Sequence, residues 1–66
     1  MKKTAEEILV TLIDLFTYYL DEINDIKTSF VHGEKTAYVE CLQIIQGWEF
    51  AERYGLIGEI EDKYKI

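Results

Sequence analysis

The sequence predicts an all-α protein: an antiparallel helical hairpin with a short C-terminal helix or tail, dimerising into a four-helix bundle. Three observations carry this expectation. Apolar residues at Ala5, Leu9, Leu12, Phe16, Tyr19, Ile23, Ile26 and Phe30 recur at alternating steps of 4 and 3, the seam of a helix that packs lengthwise on another. A second run, Ala37, Cys41, Ile44, Trp48 and Ala51, repeats those steps. Gly33 stands between the two runs, and no proline occurs anywhere in the chain.

The first helix is expected over residues 4–31. Thr4-Ala5-Glu6-Glu7 has the form of a capping box, in which Thr4 accepts from the Glu7 N–H and the Glu7 carboxylate reaches back. Glu6 and Glu7 also lie where the helix dipole favours negative charge. Ile8, Ile13, Leu15 and Leu20 widen the apolar face, while Glu7, Asp14, Asp21 and Thr28 mark a solvated back. At about 1.5 Å per residue such a helix is roughly 40 Å long. His32-Gly33 is the expected stop, with Gly33 left-handed and His32 at the negative end of the dipole.

The second helix is expected over residues 34–54, with Tyr38 and Ile45 beside its core stripe. The short link folds it back on the first. Gly47 then falls mid-helix, at a cost of about 1 kcal/mol against alanine, as a close backbone approach or a soft point. Arg53-Tyr54-Gly55-Leu56 reads as a second cap, with Gly55 left-handed and Leu56 folding back on the last turn. A short helix over about residues 57–64 places Ile60 and Tyr64 on one face.

Length and composition narrow the options further. A chain of 66 residues is one domain, 1–66, and buries only about 60% of its unfolded surface. Cys41 is the sole cysteine, so no disulfide closes within the chain. Cys41 and His32 are the only soft ligands, too few for a zinc site, so no metal and no cofactor is expected. A hydrophobic fraction of 48% argues for a folded chain. Close packing and self-association are the remaining sources of stability. The first helix carries more apolar side chains than one shorter helix can cover, which points to a homodimer through Leu9, Leu12, Phe16, Tyr19, Ile23 and Ile26. The competing arrangement is a monomer whose C-terminal segment folds over the hairpin as a third element.

Lys2 and Lys3 precede an apolar run, but Glu6, Glu7 and Asp14 interrupt it, so neither an export signal nor a membrane span is expected. A lone thiol fits the reducing cytoplasm. The net charge is −6, and from Thr4 to Glu52 two lysines face ten acidic residues, a local balance of −8. Such a body repels phosphates and anionic lipid, which disfavours nucleic acid and membrane as partners and leaves basic proteins open.

No catalytic group is expected. Cys41 and His32 are the only conceivable nucleophile and base, and they fall on a core stripe and at a turn. The Glu-x-x-His element of di-metal bundles is missing. Trp48 is placed in the core. Val39, Phe50 and Tyr54 lie opposite the stripe, beside Gln43, Gln46 and Gly47, and Tyr18 is outward on the first helix. This strip is covered by the C-terminal segment or a dimer mate, or it is a docking surface for a partner protein with aromatic anchors. The expected function is therefore a small interaction or regulatory module. The alternative is an acidic antagonist that occupies a basic, nucleic-acid-binding site on another protein.

The stretch Gly33-Glu34-Lys35-Thr36-Ala37-Tyr38-Val39-Glu40-Cys41-Leu42, continuing to Gln46-Gly47-Trp48-Glu49, resembles the second half of small uncharacterised helical proteins of Gram-positive bacteria. The resemblance covers about half the chain. It implies a bacterial cytoplasmic protein and transfers no functional residue.

Overall fold

A computed structural model describes residues 2–64. The chain forms two long helices, α1 (Ala5–Ile23) and α2 (Ser29–Gln46), then a 3-10 turn at Ala51–Tyr54 and a one-turn helix α3 (Ile60–Lys63). The expected all-α hairpin with a short third element is present, and no strand occurs among the described residues.

The start of α1 is the capping box read from the sequence. The Glu7 N–H donates to Thr4 Oγ1 at 3.2 Å, and the Thr4 hydroxyl and N–H donate to Glu7 Oε1 at 3.1 and 3.4 Å. The end of α1 differs from expectation. The helix stops at Ile23 rather than running to 31, and Ile26 N–H closes a turn on the Ile23 carbonyl at 3.0 Å. Two polar groups account for the break. Thr28 takes an extended backbone and its Oγ1 accepts from the Val31 N–H at 3.2 Å, starting α2 five residues ahead of the expected position. Lys35, only 6% exposed, extends its ammonium to the Asn24 carbonyl. The last turn of α1 has no basic residue of its own, so α2 supplies the cation that a helix C-terminus favours.

The earlier start changes which face of α2 is inside. Val31, Lys35, Val39, Leu42 and Ile45 are buried, whereas Ala37 is exposed, Ile44 is 78% exposed and Cys41 is half-buried. The expected stripe thus points outward over much of its length. Trp48 and Ala51 lie beyond the end of α2 and could not continue a helical stripe. The observed face also buries larger side chains than alanine and cysteine offer, and therefore more apolar area. Gly33 is inside α2, not a left-handed stop, and Gly47 is the C-cap of α2, not a mid-helix position. Gly55 does adopt the left-handed conformation, with φ 92°. Its N–H reaches the Glu52 carbonyl at 3.2 Å and the Leu56 N–H reaches Ala51 at 3.3 Å, the paired bonds that let Leu56 fold back into the core.

The core is one cluster of Ile13, Leu20, Val39, Leu42, Ile45, Ala51, Leu56 and Ile60. Polar groups hold the C-terminal segment against α2. Gln46 Nε2 donates to the carbonyls of Leu56 at 3.2 Å and Gly58 at 2.7 Å, and Gln43 Nε2 donates to Glu61 at 3.1 Å.

Gly33 tests this account of α2. A Cβ there meets nothing within 4 Å, and no left-handed backbone is required. Gly33→Ala should raise stability by about 0.5–1 kcal/mol in thermal or denaturant unfolding. A loss of stability would mean that Gly33 closes a helix after all.

Candidate functional site

The surface that stands out is a stripe on α1. Leu9, Ile13, Phe16 and Leu20 repeat at steps of 4, 3 and 4 and face the core. A second register lies beside it: Ile8, Leu12, Leu15 and Tyr19, also at steps of 4, 3 and 4. Of these Leu12 is half-buried, while Ile8 is 48%, Leu15 40% and Tyr19 39% exposed. Tyr18, next to Tyr19 with ring centroids 5.9 Å apart, is exposed as well. The residues expected at a dimer interface are therefore divided. Leu9, Leu12 and Phe16 pack on the chain's own core, Tyr19 is exposed on the stripe, Ile23 is half-buried, and Ile26 lies in the loop between helices. Ile8 and Leu15, which belong to the exposed stripe, were read from the sequence only as a widening of one face. The signal that separates them is the second 4-3 register.

Tyr38 of α2 closes the gap between the two registers. Its ring lies 5.8 Å from Phe16 and 5.5 Å from Tyr19, and its hydroxyl meets Glu34 Oε2 at 3.3 Å. Removal from water raises the Tyr38 pKa above its usual 10.0, and the neighbouring Glu34 carboxylate adds to the rise. The C-terminal segment approaches α1 on another side. Tyr64, at the end of the C-terminal segment, also has a raised pKa, first from burial and then from the Asp21 carboxylate, which lies on the far side of α1 from Tyr19. The C-terminal segment packs chiefly on α2, through Gln43 and Gln46, and Ile8, Leu15 and Tyr19 stay exposed.

The expected outward strip of Val39, Phe50 and Tyr54 does not form. Val39 is 1% exposed, because its face of α2 is the one turned into the core. Phe50 and Tyr54 gather around Trp48 instead. Tyr54 stacks on Trp48 with an interplanar angle of 4°, Phe50 meets it edge-on, and Arg53 lies 4.5 Å over the Phe50 ring. Trp48 itself is half-buried and packs against the core.

Cys41 and His32 are nine positions apart on one helix and so point to opposite sides, with about 13 Å of axial rise between them. They cannot act as a pair. Among the described residues no group of His, Cys, Asp and Glu is placed to hold a metal ion, and no helix is long and apolar enough to cross a membrane. A cleft of about 270 Å³ is lined by Asn24, Asp25, Lys27, Lys35 and Lys63. Two of its three lysines are engaged by the backbone. Lys35 and Lys63 give their ammonium protons to the carbonyls of Asn24 and Gly55, and the cleft lies at the negative end of α1.

Comparison of the chain with protein-family models, with curated proteins and with solved structures gives no match. The functional reading rests on the exposed stripe and the groups around it.

Tyr38 reports on the covered junction. Because its pKa is raised in the folded chain, the associated stability is complete below the unfolded value near 10.0 and is lost as the pH climbs through the folded value. A pH titration followed by NMR should show Tyr38 ionising above 10.0, with Glu34→Gln moving it back toward that value. A Tyr38 midpoint indifferent to Glu34→Gln would remove the carboxylate from the account.

Proposed function

We propose that this chain is a small, non-catalytic protein–protein interaction module that works as a homodimeric four-helix bundle. The observation that carries the reading is the balance of apolar side chains. Among the described residues nine hydrophobic residues are buried, and nine large ones (Ile8, Leu15, Tyr18, Tyr19, Ile26, Phe30, Ile44, Tyr54 and Ile57) remain exposed. Such a surface calls for a second partner, because contiguous apolar area in water costs free energy that docking recovers. The Ile8–Tyr19 stripe is helical and continuous, and Ile8, Leu15 and Tyr19 stay exposed along it. A copy of the same chain offers it a matching surface at no cost in new sequence.

A second reading draws on charge. Glu6, Glu7, Asp14, Asp21 and Glu22 are all exposed along α1, and an acidic helix of this kind suits a basic site on another protein. The lone thiol and the likeness to small bacterial proteins favour a cytoplasmic setting for either role.

Light scattering behind size exclusion over a hundredfold dilution tests the first reading. The expected mass is twice the 7.8 kDa of one chain. Leu15→Glu should return the mass to 7.8 kDa while leaving the helical circular dichroism in place, since Leu15 is 40% exposed and outside the core cluster. A monomer at every concentration, or a dimer indifferent to Leu15→Glu, would overturn it.

A further inference from the structure

Residues 24–28, which separate α1 from α2, contain neither glycine nor proline, and the helical apolar spacing runs through them at Ile23, Ile26 and Phe30. Asn24 already has helical angles, φ −57° and ψ −35°. The bend is held by groups that take up backbone partners a continuous helix would use. In such a helix the Asn24 carbonyl would accept from the Thr28 N–H, and the Val31 N–H would donate to the Lys27 carbonyl. Instead the Lys35 ammonium donates to the Asn24 carbonyl, and Thr28 Oγ1 accepts from Val31. The Ile23 carbonyl, which would accept from the Lys27 N–H, accepts from the Ile26 N–H at 3.0 Å.

A straight helix would also keep the two inner faces on one side. At about 100° per residue, Leu9, Ile13, Phe16 and Leu20 centre on an arc roughly 50° from that of Val31, Val39, Leu42 and Ile45. An apolar stripe is itself about 100° wide or more, so the two arcs form one face. Two straightened chains laid antiparallel thus present α1 of each to α2 of the other, with the faces that the hairpin uses. We propose that residues 24–28 are a hinge, and that opening it lets two copies of this chain exchange α1 as a domain-swapped dimer with continuous helices over residues 5–46. The C-terminal segment stays with its own α2, where Gln43 and Gln46 hold it. The contacts between α1 and α2 are remade between copies, so the balance lies in the hinge and in the protein concentration. This pairing uses the chain's own core and does not depend on docking through Ile8, Leu15 and Tyr19.

Three features keep the hinge closed. Straightening gives up the Thr28 cap and the Lys35 bond. Asn24, Asp25 and Thr28 are weak helix formers. The third feature is charge. The midpoints of the ring contacts Phe16–Tyr38 and Tyr19–Tyr38 fall near residues 27–28, so the two-fold axis passes there and brings the two Lys27 side chains together. Because α1 must leave the core during the exchange, folded chains that are merely mixed swap no faster than the hairpin unfolds.

Refolding from denaturant at low and at high protein concentration tests the hinge, in a Leu15→Glu background that removes docking through the stripe. The concentrated sample should contain a dimer that persists on dilution, and Thr28→Ala with Lys35→Met should raise its yield about threefold or more. If that pair does not fold, Lys27→Leu, which leaves both bonds in place, should raise the yield likewise. Ser29→Pro should abolish the dimer and leave the monomer folded. Proline suits the first position of α2, after an extended Thr28, but breaks the middle of a continuous helix. When labelled and unlabelled chains are refolded together, filtered NOE signals should join the Phe16 ring of one copy to the Tyr38 ring of the other. No dimer from any of these chains, a Ser29→Pro yield equal to that of the Leu15→Glu chain, or a dimer whose Phe16–Tyr38 contact stays within one chain would overturn the hinge.

Discussion

The cluster in which Ile13 and Leu20 of α1 meet Val39, Leu42 and Ile45 of α2 is the contact on which every other element depends. Leu20 and Leu42 are both fully excluded from water. A domain of this length has a stability of only about 3–10 kcal/mol, and truncating one buried leucine costs about 2–5 kcal/mol. Neither helix has another contact of this size. The 3-10 turn and α3 do not form a core of their own: Ala51, Leu56 and Ile60 add to the same cluster, and the side chains of Gln43 and Gln46 hold the segment there.

That arrangement has a direct consequence for the surface. The C-terminal segment is short, and it packs chiefly on α2, through Gln43 and Gln46. Ile8, Leu15 and Tyr19 stay exposed. The body measures 38 × 28 × 14 Å across its Cα atoms, a flat shape in which few side chains are enclosed from all directions. The hydrophobic pressure that folds the hairpin is therefore only partly satisfied within it. The same surface shortage that makes a small chain marginal also makes it a ready partner.

The helices, the capping box at Thr4 and Glu7, and the left-handed Gly55 with Leu56 behind it were all legible in the sequence, because each depends on residues within one turn of chain. The boundary between α1 and α2 was not. It depends on Thr28 capping α2, a local signal that the unbroken apolar spacing masks, and on Lys35 reaching the Asn24 carbonyl across eleven positions, a contact that no local pattern encodes. With that boundary misplaced, Gly33 looked like a stop and Thr28 looked like a solvated surface residue rather than an N-cap. The inner face of α2 followed the same error. The run Ala37, Cys41, Ile44 has perfect helical spacing, yet the larger Val39, Leu42 and Ile45 occupy the inside. Spacing identifies a stripe but does not say which of two stripes is buried. On α1 the difficulty was subtler. The run from Ala5 to Phe30 straddles an inner and an outer register, so half of the residues expected between chains serve the chain's own core.

The central claim is that α1 divides its apolar surface, with Leu9, Leu12, Ile13, Phe16 and Leu20 serving the chain's own core and the exposed Ile8, Leu15 and Tyr19 proposed to meet a second copy. Isotope-filtered NOE spectroscopy on a mixture of labelled and unlabelled chains addresses it most directly, since only contacts between different chains give signals. The account predicts filtered cross-peaks from Ile8, Leu15 and Tyr19, and none from Leu20 or Leu42. Filtered signals confined to Phe30 and Ile44, or no filtered signals at concentrations where the chain is fully folded, would contradict it.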